Sequence, residues 1–358
     1  MLEIPRLFEL NGPPKDPPNM TKAPVQSASI SIATVAAKAG VSIATVSRVL
    51  NRVSSKFSKA TQDKVLRAIE ELGYRPTVAG RTLRSGQSRL VAVLASNMSN
   101  PSMASIAAAA EVALRKSGYV MVLCDTHDRP ELQDEYLKEM ASHNARGVVM
   151  LGAVDSPELR QLAKQPERIV FVNRHAPVTI EEERFVGIDN RQAVLDVAQW
   201  MHQRRQSPLA LIHGDVRSSA TRERVDGFVD ACRGLKQPLP QSHICSTPGV
   251  SHLDIGYMGM KQLMSQKKPP LSVFCTSDLI AYGAHRCLHE LHPGFLPLIT
   301  LVGFDHSPLN DWIAPWLNGI RVPYERYGEA IVSALDSDKP LNLLLPHQWV
   351  NATKQIVL

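Results

Sequence analysis

Polar and charged side chains directly follow six of the eight short apolar runs that occupy the chain from residue 90 onwards. A carboxylate can accept two hydroxyl protons, and an arginine donates hydrogen bonds in a fixed fork, so these groups around one cleft suit a polyhydroxylated small molecule. Alternatively, a carboxylate in such a place caps the helix that follows. The side chains concerned are Asn97, Asp125, Asn173, Arg174, Asp215, Asp278 and Asp305.

A second kind of chemistry is indicated by the stretch TVAAKAGVSIATVSRVLN, residues 34–51, whose charges are all basic. Ser and Thr are poor helix formers, but on an exposed face their hydroxyls can bond phosphates. Side chains near the start of a helix can also reach base edges in the major groove of DNA. We expect DNA contacts from the hydroxyl and amide side chains of Ser31, Thr34, Ser42, Asn51, Ser58 and Thr61.

The positive charge of the chain is concentrated around this stretch. The 358 residues have a net charge of +6, whereas residues 29–88 contain ten Lys or Arg and three acidic residues, an excess of seven. Residues 1–28 are balanced, so the remaining 270 residues have a net charge of −1. A compact basic module joined to a nearly neutral body predicts a polyanionic partner for the module alone.

Metal, disulfide and enzymatic chemistry have little support in the sequence. The five cysteines are widely spaced and include no CxxC pair, which favours a reducing compartment. His285, His289 and His292 could face one metal ion on a helix, but without a carboxylate or thiolate cluster an ordinary helix surface is preferred. No GxGxxG, GxxxxGK[ST] or GxSxG motif is present. We therefore predict no enzyme, no catalytic residue, no metal and no cofactor.

Three helices are predicted in the basic module. Ser31 can cap a first helix that ends at Gly40, because glycine adopts a positive φ easily. Ser42 can cap a second helix, which completes a helix-turn-helix pattern. A third helix, KATQDKVLRAIEELGY, follows. Its predicted inner stripe consists of Val65, Leu66, Ile69 and Leu72.

The chain from residue 89 alternates short strands with amphipathic helices, which predicts parallel sheets covered on both faces. About 270 residues is large for one open sheet, so two similar lobes with a cleft between them are expected. No run of about 18 apolar residues occurs, and no membrane span is predicted. The Pro-rich residues 1–29 lack the features of a signal peptide and are predicted to be a disordered extension.

The ordered motifs of the chain resemble the lactose-repressor-like (LacI/GalR) family of bacterial transcription regulators. VAAKAGVSIATVSRVLN and SKATQDKVLRAIEELGYRPTVAGRTLRSGQS resemble its DNA-binding headpiece. The motifs NPSMASIAAAAEVALRKSGYVMVLCDT, TRERVDGF, FCTSDLIAYGA and LVGFDHSPL continue the resemblance to about residue 345. The resemblance implies an α + α/β fold, in which a three-helix helix-turn-helix headpiece and a hinge helix precede a two-lobed, periplasmic-binding-protein-like α/β body with parallel sheets.

The resemblance also gives the expected domain boundaries. The headpiece spans residues 30–75 and the hinge 76–88, and the effector-binding and dimerisation domain spans 89–358. The chain is expected to cross between the lobes three times. The first lobe is then about 89–188 plus 318–345, and the second about 189–317 plus 346–358.

In the headpiece, the resemblance assigns base reading to Ile43, Ala44 and Arg48. It assigns contacts with phosphates or bases to Thr45 and Ser47.

In the hinge, Leu83 matches a leucine that enters the minor groove, where an apolar wedge can kink the duplex. Thr77 stands where the family usually has Asn, and Gly80 where it usually has Ala. Because glycine costs about 0.5–1 kcal/mol relative to alanine in a helix, this hinge is expected to order less readily.

In the body, the resemblance assigns effector contacts first to Arg224 and Asp278, and then to Asn173, Arg174, Ser102 and Met103. For Asp278, capping of the following helix remains the structural alternative. The family often has an aromatic platform for a sugar ring near residue 251. The stretch TPGVSHLDIGY contains no Trp or Phe, so the pocket or its ligand is expected to differ.

The function implied by the resemblance is sequence-specific regulation of transcription by a cytoplasmic, nucleoid-associated repressor. Its affinity for double-stranded operator DNA would be controlled by a sugar, sugar acid or nucleoside in the interlobe cleft. A homodimer rather than a tetramer is expected, since the C-terminal segment lacks a convincing leucine heptad tail. A transport-type solute-binding protein and an α/β enzyme are the alternatives. The first is disfavoured by the basic module and the second by the absent motifs.

Overall fold

A computed structural model of the chain describes residues 31–50, 57–74, 88–205 and 208–352. The chain divides into two compact units, Met1–Gly86 and Gln87–Leu358, and we call them the headpiece and the trunk. Some predictions concern residues outside these ranges: the extension 1–29, Asn51, and the hinge residues Thr77, Gly80 and Leu83.

The headpiece contains the helices α1 (Ile32–Ala39), α2 (Ile43–Leu50) and α3 (Lys59–Leu72). As predicted, the Ser31 hydroxyl caps α1 by accepting the Thr34 N–H at 3.3 Å. Gly40 ends α1 with a φ of 65°, a conformation that glycine adopts without strain. The axes of α1 and α2 differ by 103° across this turn.

A small apolar core holds the three headpiece helices together. Val35 of α1, Val46 of α2 and Val65 of α3 are fully buried in it. The prediction that Leu66 belongs to the inner stripe is wrong, because its side chain is 47% exposed. Consecutive helical residues point about 100° apart, so Leu66 cannot share the inward direction of Val65, and Ala68 is buried one turn further on.

The trunk contains twelve strands and nine further α-helices within its described residues. The strands are β1 Leu90–Ala95, β2 Val120–Asp125, β3 Gly147–Leu151, β4 Ile169–Val172, β5 Phe185–Gly187, β6 Leu209–Ile212, β7 Ile244–Cys245, β8 Ser272–Cys275, β9 Thr300–Asp305, β10 Asn318–Arg321, β11 Asn342–Leu344 and β12 Gln348–Val350. The helices are α4 Pro101–Lys116, α5 Pro130–Ser142, α6 Pro157–Leu162, α7 Asn190–Gln203, α8 Ser219–Gly234, α9 His252–Met264, α10 Asp278–Leu291, α11 Asn310–Ile313 and α12 Tyr324–Asp336.

Two six-stranded sheets form the centres of two lobes, as the alternating pattern predicts. The first sheet has the order β11-β5-β4-β3-β1-β2 and the second has the order β12-β10-β9-β8-β6-β7. Every pair of neighbouring strands is parallel except β10 and β12, which are antiparallel. Because parallel strands all end at one edge, the loops that follow them gather on one side of each sheet.

The chain passes between the two sheets three times: after β5, after β10 and between β11 and β12. The predicted return to the first lobe at residue 318 is too early, since β10 pairs with β9 in the second sheet. The chain therefore returns after Arg321, and α12 then packs against α4 in the first lobe. Strands β5, β10, β11 and β12 and helix α12 were not predicted from the sequence.

Among the described helices, no single one is long and apolar enough to cross a membrane. The bent pair of α1 and α2 reaches that length and composition only when both helices are counted together.

Helices α9 and α10 meet through two glycines, and substitution of either is expected to destabilise the trunk. A Cβ added at Gly256 would overlap the carbonyl oxygen of Ile280, and one added at Gly283 would overlap that of Leu253. Because backbone cannot move aside as a side chain can, Gly256→Ala is expected to lower the free energy of unfolding by about 3 kcal/mol, the upper end for overpacking. Urea denaturation of the purified protein measures this.

Gly234, the last residue of α8, is the matched control, since a Cβ there meets nothing within 4 Å. Gly234→Ala is expected to be neutral or stabilising, because alanine is the better helix former. Equal effects of the two substitutions would contradict the close approach of α9 and α10.

Candidate functional site

One face of α2 is exposed along its whole length. Ile43 is 50% exposed, and Ala44 and Arg48 are also exposed, whereas Val46 and Val49 on the opposite face are buried. The structure therefore brings the three predicted base-reading residues together on one surface. Thr45 and Ser47 lie beside them and are partly buried.

The predicted phosphate-binding hydroxyls form three Ser–Thr pairs, one at the start of each headpiece helix. In each pair the serine oxygen accepts the backbone N–H of the threonine three residues later. The hydroxyl oxygens within each pair are 2.9–3.1 Å apart. These side chains thus stabilise helix starts, and their exposure at a positive helix end also suits a phosphate. The pairs are Ser31–Thr34, Ser42–Thr45 and Ser58–Thr61.

In the trunk, Arg224 of α8 is held at the carboxyl ends of the second sheet. Its Nε donates to Asn190 Oδ1 at 2.8 Å, and its Nη1 donates to the carbonyl oxygen of Thr276 at 2.9 Å. The same Nη1 lies 3.6 Å from Asp305 Oδ1, and the guanidinium lies over the ring of Phe304. Arg224 is thus a nearly buried cation fixed in orientation by four neighbours.

Two buried carboxylates accompany this arginine. Asp278 Oδ2 accepts the Ser307 N–H at 2.9 Å and the Asn310 side-chain amide at 3.0 Å. Burial raises the pKa of Asp278 well above its ordinary value, and the negative charge of Asp305 raises it further. Burial also raises the pKa of Asp305, and the charge of Arg224 opposes that rise.

None of the four carboxylates that follow strands (Asp125, Asp215, Asp278 and Asp305) serves as the N-cap of the next helix, so the structural alternative is wrong for them. The residues that precede α8 and α10 are Ser218 and Ser277, whose hydroxyls accept the N–H groups of Thr221 and Ile280. Asp278 is the first residue of α10, and its carboxylate accepts the N–H of Ser307 in the loop after β9 instead of an N–H of its own helix. Asp125 accepts the Met98 N–H, Asp215 pairs with Arg217, and Asp305 faces Arg224.

The first lobe contributes the other predicted effector residues. The Tyr324 hydroxyl donates to the carbonyl oxygen of Asp305 at 3.1 Å and lies 2.9 Å from Ser102 Oγ, so it joins the two lobes. Met103 is buried beside Ser102. Asn173 has a φ of 62° and accepts the Tyr327 hydroxyl proton at 2.6 Å.

Arg174 extends the positively charged part of the cleft and pairs with Asp128 at 3.2 Å. Near it lies His252, the first residue of α9, whose Nδ1 is 3.0 Å from Ser277 Oγ. Burial lowers the pKa of His252, and the charges of Arg174 and Arg224 lower it further. The imidazole is therefore neutral at pH 7. It lies next to residue 251, the position near which the family often has an aromatic platform and this chain has no Trp or Phe.

Residues that the sequence analysis missed complete the cleft: His252, Tyr324, Tyr327, Asn190 and Phe304. Most lie outside the motifs at strand ends, and only the folded chain brings them near Arg224. The arrangement gathers carboxyl, amide, hydroxyl, imidazole and guanidinium groups where the two lobes meet, and the Phe304 ring lies buried beneath the guanidinium. Such a mixture can hydrogen-bond the hydroxyls of a sugar or a nucleoside from several directions.

The described residues of the trunk and headpiece contain no metal site and no disulfide bond. No group of three His, Cys, Asp or Glu side chains there is placed to hold a metal ion. All five cysteines are free and buried. His285 stacks on the Trp316 ring at a centroid distance of 3.9 Å.

A basic helix-turn-helix module and a two-lobed, parallel-sheet trunk with a polar cleft together define a ligand-controlled DNA-binding regulator. Residues 31–77 match the family described as "Bacterial regulatory proteins, lacI family". Residues 87–292 match "Periplasmic binding proteins and sugar binding domain of LacI family". The chain belongs to the LacI family, which confirms both the resemblance and the predicted fold class.

Two relatives are transcriptional repressors. The HTH-type transcriptional repressor CytR of Escherichia coli (strain K12) is 28% identical over 319 residues, which cover 88% of this chain and 92% of CytR. The HTH-type transcriptional repressor PurR of Vibrio vulnificus (strain CMCP6) is 26% identical over 297 residues, which cover 82% of this chain and 87% of PurR.

Two solved structures share the fold. The complex of the transcriptional regulator CelR with cellobiose has a TM-score of 0.66 and 25% identity, covering 89% of this chain and 98% of CelR. The lac repressor dimer bound to operator and an anti-inducer has a TM-score of 0.75 and 22% identity, covering 90% of this chain and 97% of the repressor.

Proposed function

We propose that this protein is a transcriptional repressor whose affinity for operator DNA is set by a small polyhydroxylated effector in the trunk cleft. The observation on which this rests is the exposed row Ile43, Ala44 and Arg48, on a basic helix whose opposite face is buried in the headpiece core. Two such headpieces in a homodimer would read the two halves of a pseudo-palindromic site. We also propose that it acts in the cytoplasm, on the nucleoid, because its proposed partner is operator DNA.

The effector site we propose contains Arg224 and Asp278 from the second lobe and Ser102, Met103, Asn173 and Arg174 from the first. Support comes from their position near the carboxyl ends of the sheets. Three of them are also held by hydrogen bonds: Arg224 to Asn190, Ser102 to Tyr324 and Asn173 to Tyr327. A ligand that touches both lobes can shift DNA affinity only by preferring one lobe arrangement over the other. Sugars, sugar acids and nucleosides fit the polar groups of the cleft.

Selection from a randomised duplex pool with the full chain tests the DNA-binding half of the proposal. The selected duplexes should share a pseudo-palindrome, and binding measured by fluorescence anisotropy should weaken steeply with salt. A thermal-shift screen of carbohydrates and nucleosides tests the effector half. Recovery of no common sequence would overturn the repressor assignment.

Arg48→Ala and Lys59→Ala are expected to weaken DNA binding in different ways. Arg48 is exposed on α2 among the base-reading residues, whereas Lys59 begins α3. Loss of a base contact costs about 1–3 kcal/mol and relaxes preference at one position, while loss of a phosphate contact weakens binding to all sequences alike. Anisotropy on the selected duplex and its single-base variants measures both effects. Uniform weakening by Arg48→Ala would remove it from base reading.

A further inference from the structure

A cluster centred on His175 spans the two lobes beside the effector cleft. His175 follows β4 in the first lobe, and its backbone N–H donates to Ser219 Oγ of α8, in the second lobe, at 2.8 Å. Its ring lies 2.7 Å from Glu183 on its own lobe and 3.7 Å from Glu223 on α8. The imidazole is half-buried, and these two carboxylates face it from opposite sides.

The first lobe fixes the orientation of this ring. Nδ1 of His175 donates its proton to Glu183 Oε2, because a carboxylate can only accept. The other oxygen of Glu183 accepts the Ala176 N–H at 2.6 Å, which holds the carboxylate in place. The ring also stacks on Phe185 of β5 at a centroid distance of 3.9 Å. Nε2 is consequently left pointing towards the second lobe.

The charge of Nε2 decides whether the lobes attract each other here. In the neutral imidazole the proton is on Nδ1, so Nε2 presents a lone pair to the Glu223 carboxylate at 3.7 Å. A second proton on Nε2 turns this contact into an attraction between opposite charges. The pairing across the lobes is therefore present only in the doubly protonated ring.

Glu223 connects the ring to the effector site. Its Oε2 accepts the Asn190 side-chain N–H at 2.9 Å, and Asn190 Oδ1 accepts the Arg224 Nε–H at 2.8 Å. Asn190 is buried, so neither hydrogen bond is replaced easily by water. A change at His175 can thus reach Arg224 through two hydrogen bonds.

We propose that His175 is a positioning residue that fastens the two lobes when doubly protonated, by bridging Glu183 and Glu223, and thereby sets the position of Arg224. The proposal rests on the proposed function only in that lobe arrangement is read out as operator affinity. Protonation of His175 would then change operator affinity in addition to the change caused by the effector.

The pKa of His175 lies above its ordinary value, chiefly because of the hydrogen bond to Glu183, with burial opposing and the charges of Glu183 and Glu223 adding. Among its other neighbours, Ser219 and Phe185 are uncharged, and Arg174 is paired with Asp128. Because the pKa is raised in the folded state, the bridge is complete below pH about 6.5, the ordinary value for histidine. It is lost as the pH rises through the raised pKa.

Histidine-selective NMR titration of the full chain, with the His175 signal assigned from its loss in His175→Gln, tests the bridge without any ligand. Glu223→Gln keeps an oxygen for Asn190 but removes the charge, so it is expected to lower the pKa of His175. An unchanged pKa in Glu223→Gln would overturn the proposal.

Operator affinity measured from pH 5.5 to 8.5 on a selected duplex tests the consequence. His175→Lys keeps the positive charge and His175→Gln removes it. The operator affinity of the wild type should therefore equal that of the lysine variant at low pH and that of the glutamine variant at high pH. A shift of half a pKa unit between lobe arrangements corresponds to about threefold in affinity. His143→Gln, at an exposed pair with Glu139 within the first lobe, is the control and should follow the wild type.

The two levels of failure are distinguishable. If no duplex is selected, the repressor assignment fails, and the NMR titration still decides the bridge. If DNA binding is intact but the wild type and His175→Gln share one pH profile, the positioning role of His175 is wrong.

Discussion

Replacement of Arg224 by leucine is expected to lower the free energy of unfolding of the trunk by about 3–5 kcal/mol at pH 7.5, the usual cost of breaking a buried ion pair from one side. The substitution leaves the Asp305 carboxylate without its cation while Asp278 lies close by. It also removes the donors to Asn190 Oδ1 and to the Thr276 carbonyl oxygen. Urea denaturation followed by intrinsic fluorescence measures the loss.

The loss in Arg224→Leu is expected to shrink as the pH falls. Burial raises the pKa of Asp305 in the folded state, and Arg224 opposes that rise. Without Arg224 the folded pKa is higher still, so the penalty develops as the pH rises above the unfolded value of about 3.9. It is complete only once the pH exceeds the folded pKa. The difference from the wild type should therefore be smaller at pH 5 than at pH 7.5.

Two further variants isolate the ion pair. Asp305→Asn in the Arg224→Leu background removes the unpaired charge and should restore part of the lost stability. Arg222→Leu changes an exposed arginine of the same helix, whose Nη1 reaches only the Val216 carbonyl oxygen, and should alter stability by no more than about 0.5 kcal/mol. A similar loss in Arg222→Leu and Arg224→Leu would show that the pairing with Asp305 is not the cause.

Val46→Asp is expected to reduce affinity for the selected duplex at least about 10³-fold, the lower limit of the usual ratio of specific to non-specific binding. Val46 is fully buried in a core built by three short helices. An unpaired carboxylate there costs several kcal/mol, about as much as a module of this size can provide. Anisotropy measures the affinity, and the loss of helical circular dichroism reports the unfolded headpiece.

Leu66→Asp is the matched control, because it introduces the same charge on a side chain of α3 that is 47% exposed. It should weaken binding only modestly, through repulsion of phosphates. The thermal transition of the trunk should be unchanged in both variants, since the trunk has its own cores. Retention of selective binding by Val46→Asp would argue against reading of DNA by α2.

Local patterns in the sequence were sufficient to predict much of the fold. The caps at Ser31 and Ser42 and the turn at Gly40 are determined by residues within one helical turn, so they could be placed without tertiary information. The strands that were missed have three or four residues and include Asn318 and Asn342, so neither length nor apolar content distinguishes them from loops. Their strand conformation comes from neighbours distant in the chain, as for β11 beside β5.

The cleft was predicted only where its residues follow apolar strands. Asn173 and Arg174 end one such run and were predicted. The role of the next residue, His175, could not be predicted, because its partners Glu183 and Glu223 are 8 and 48 positions away in the sequence. Asp278 and Asp305 could be proposed individually, but their mutual repulsion depends on the packing of α10 against β9. Interactions of this kind arise from tertiary placement, which spacing in one sequence does not encode.

Helices α9 and α10 contact each other backbone to backbone at Gly256 and Gly283, so they form one rigid unit. His252 is the first residue of α9 and Asp278 is the first residue of α10, so both side chains belong to this rigid unit. Backbone touching backbone leaves no compliant side chain to absorb a displacement. If the proposed effector displaces the His252 imidazole, the Asp278 carboxylate would therefore move with it, and one contact would reposition both side chains.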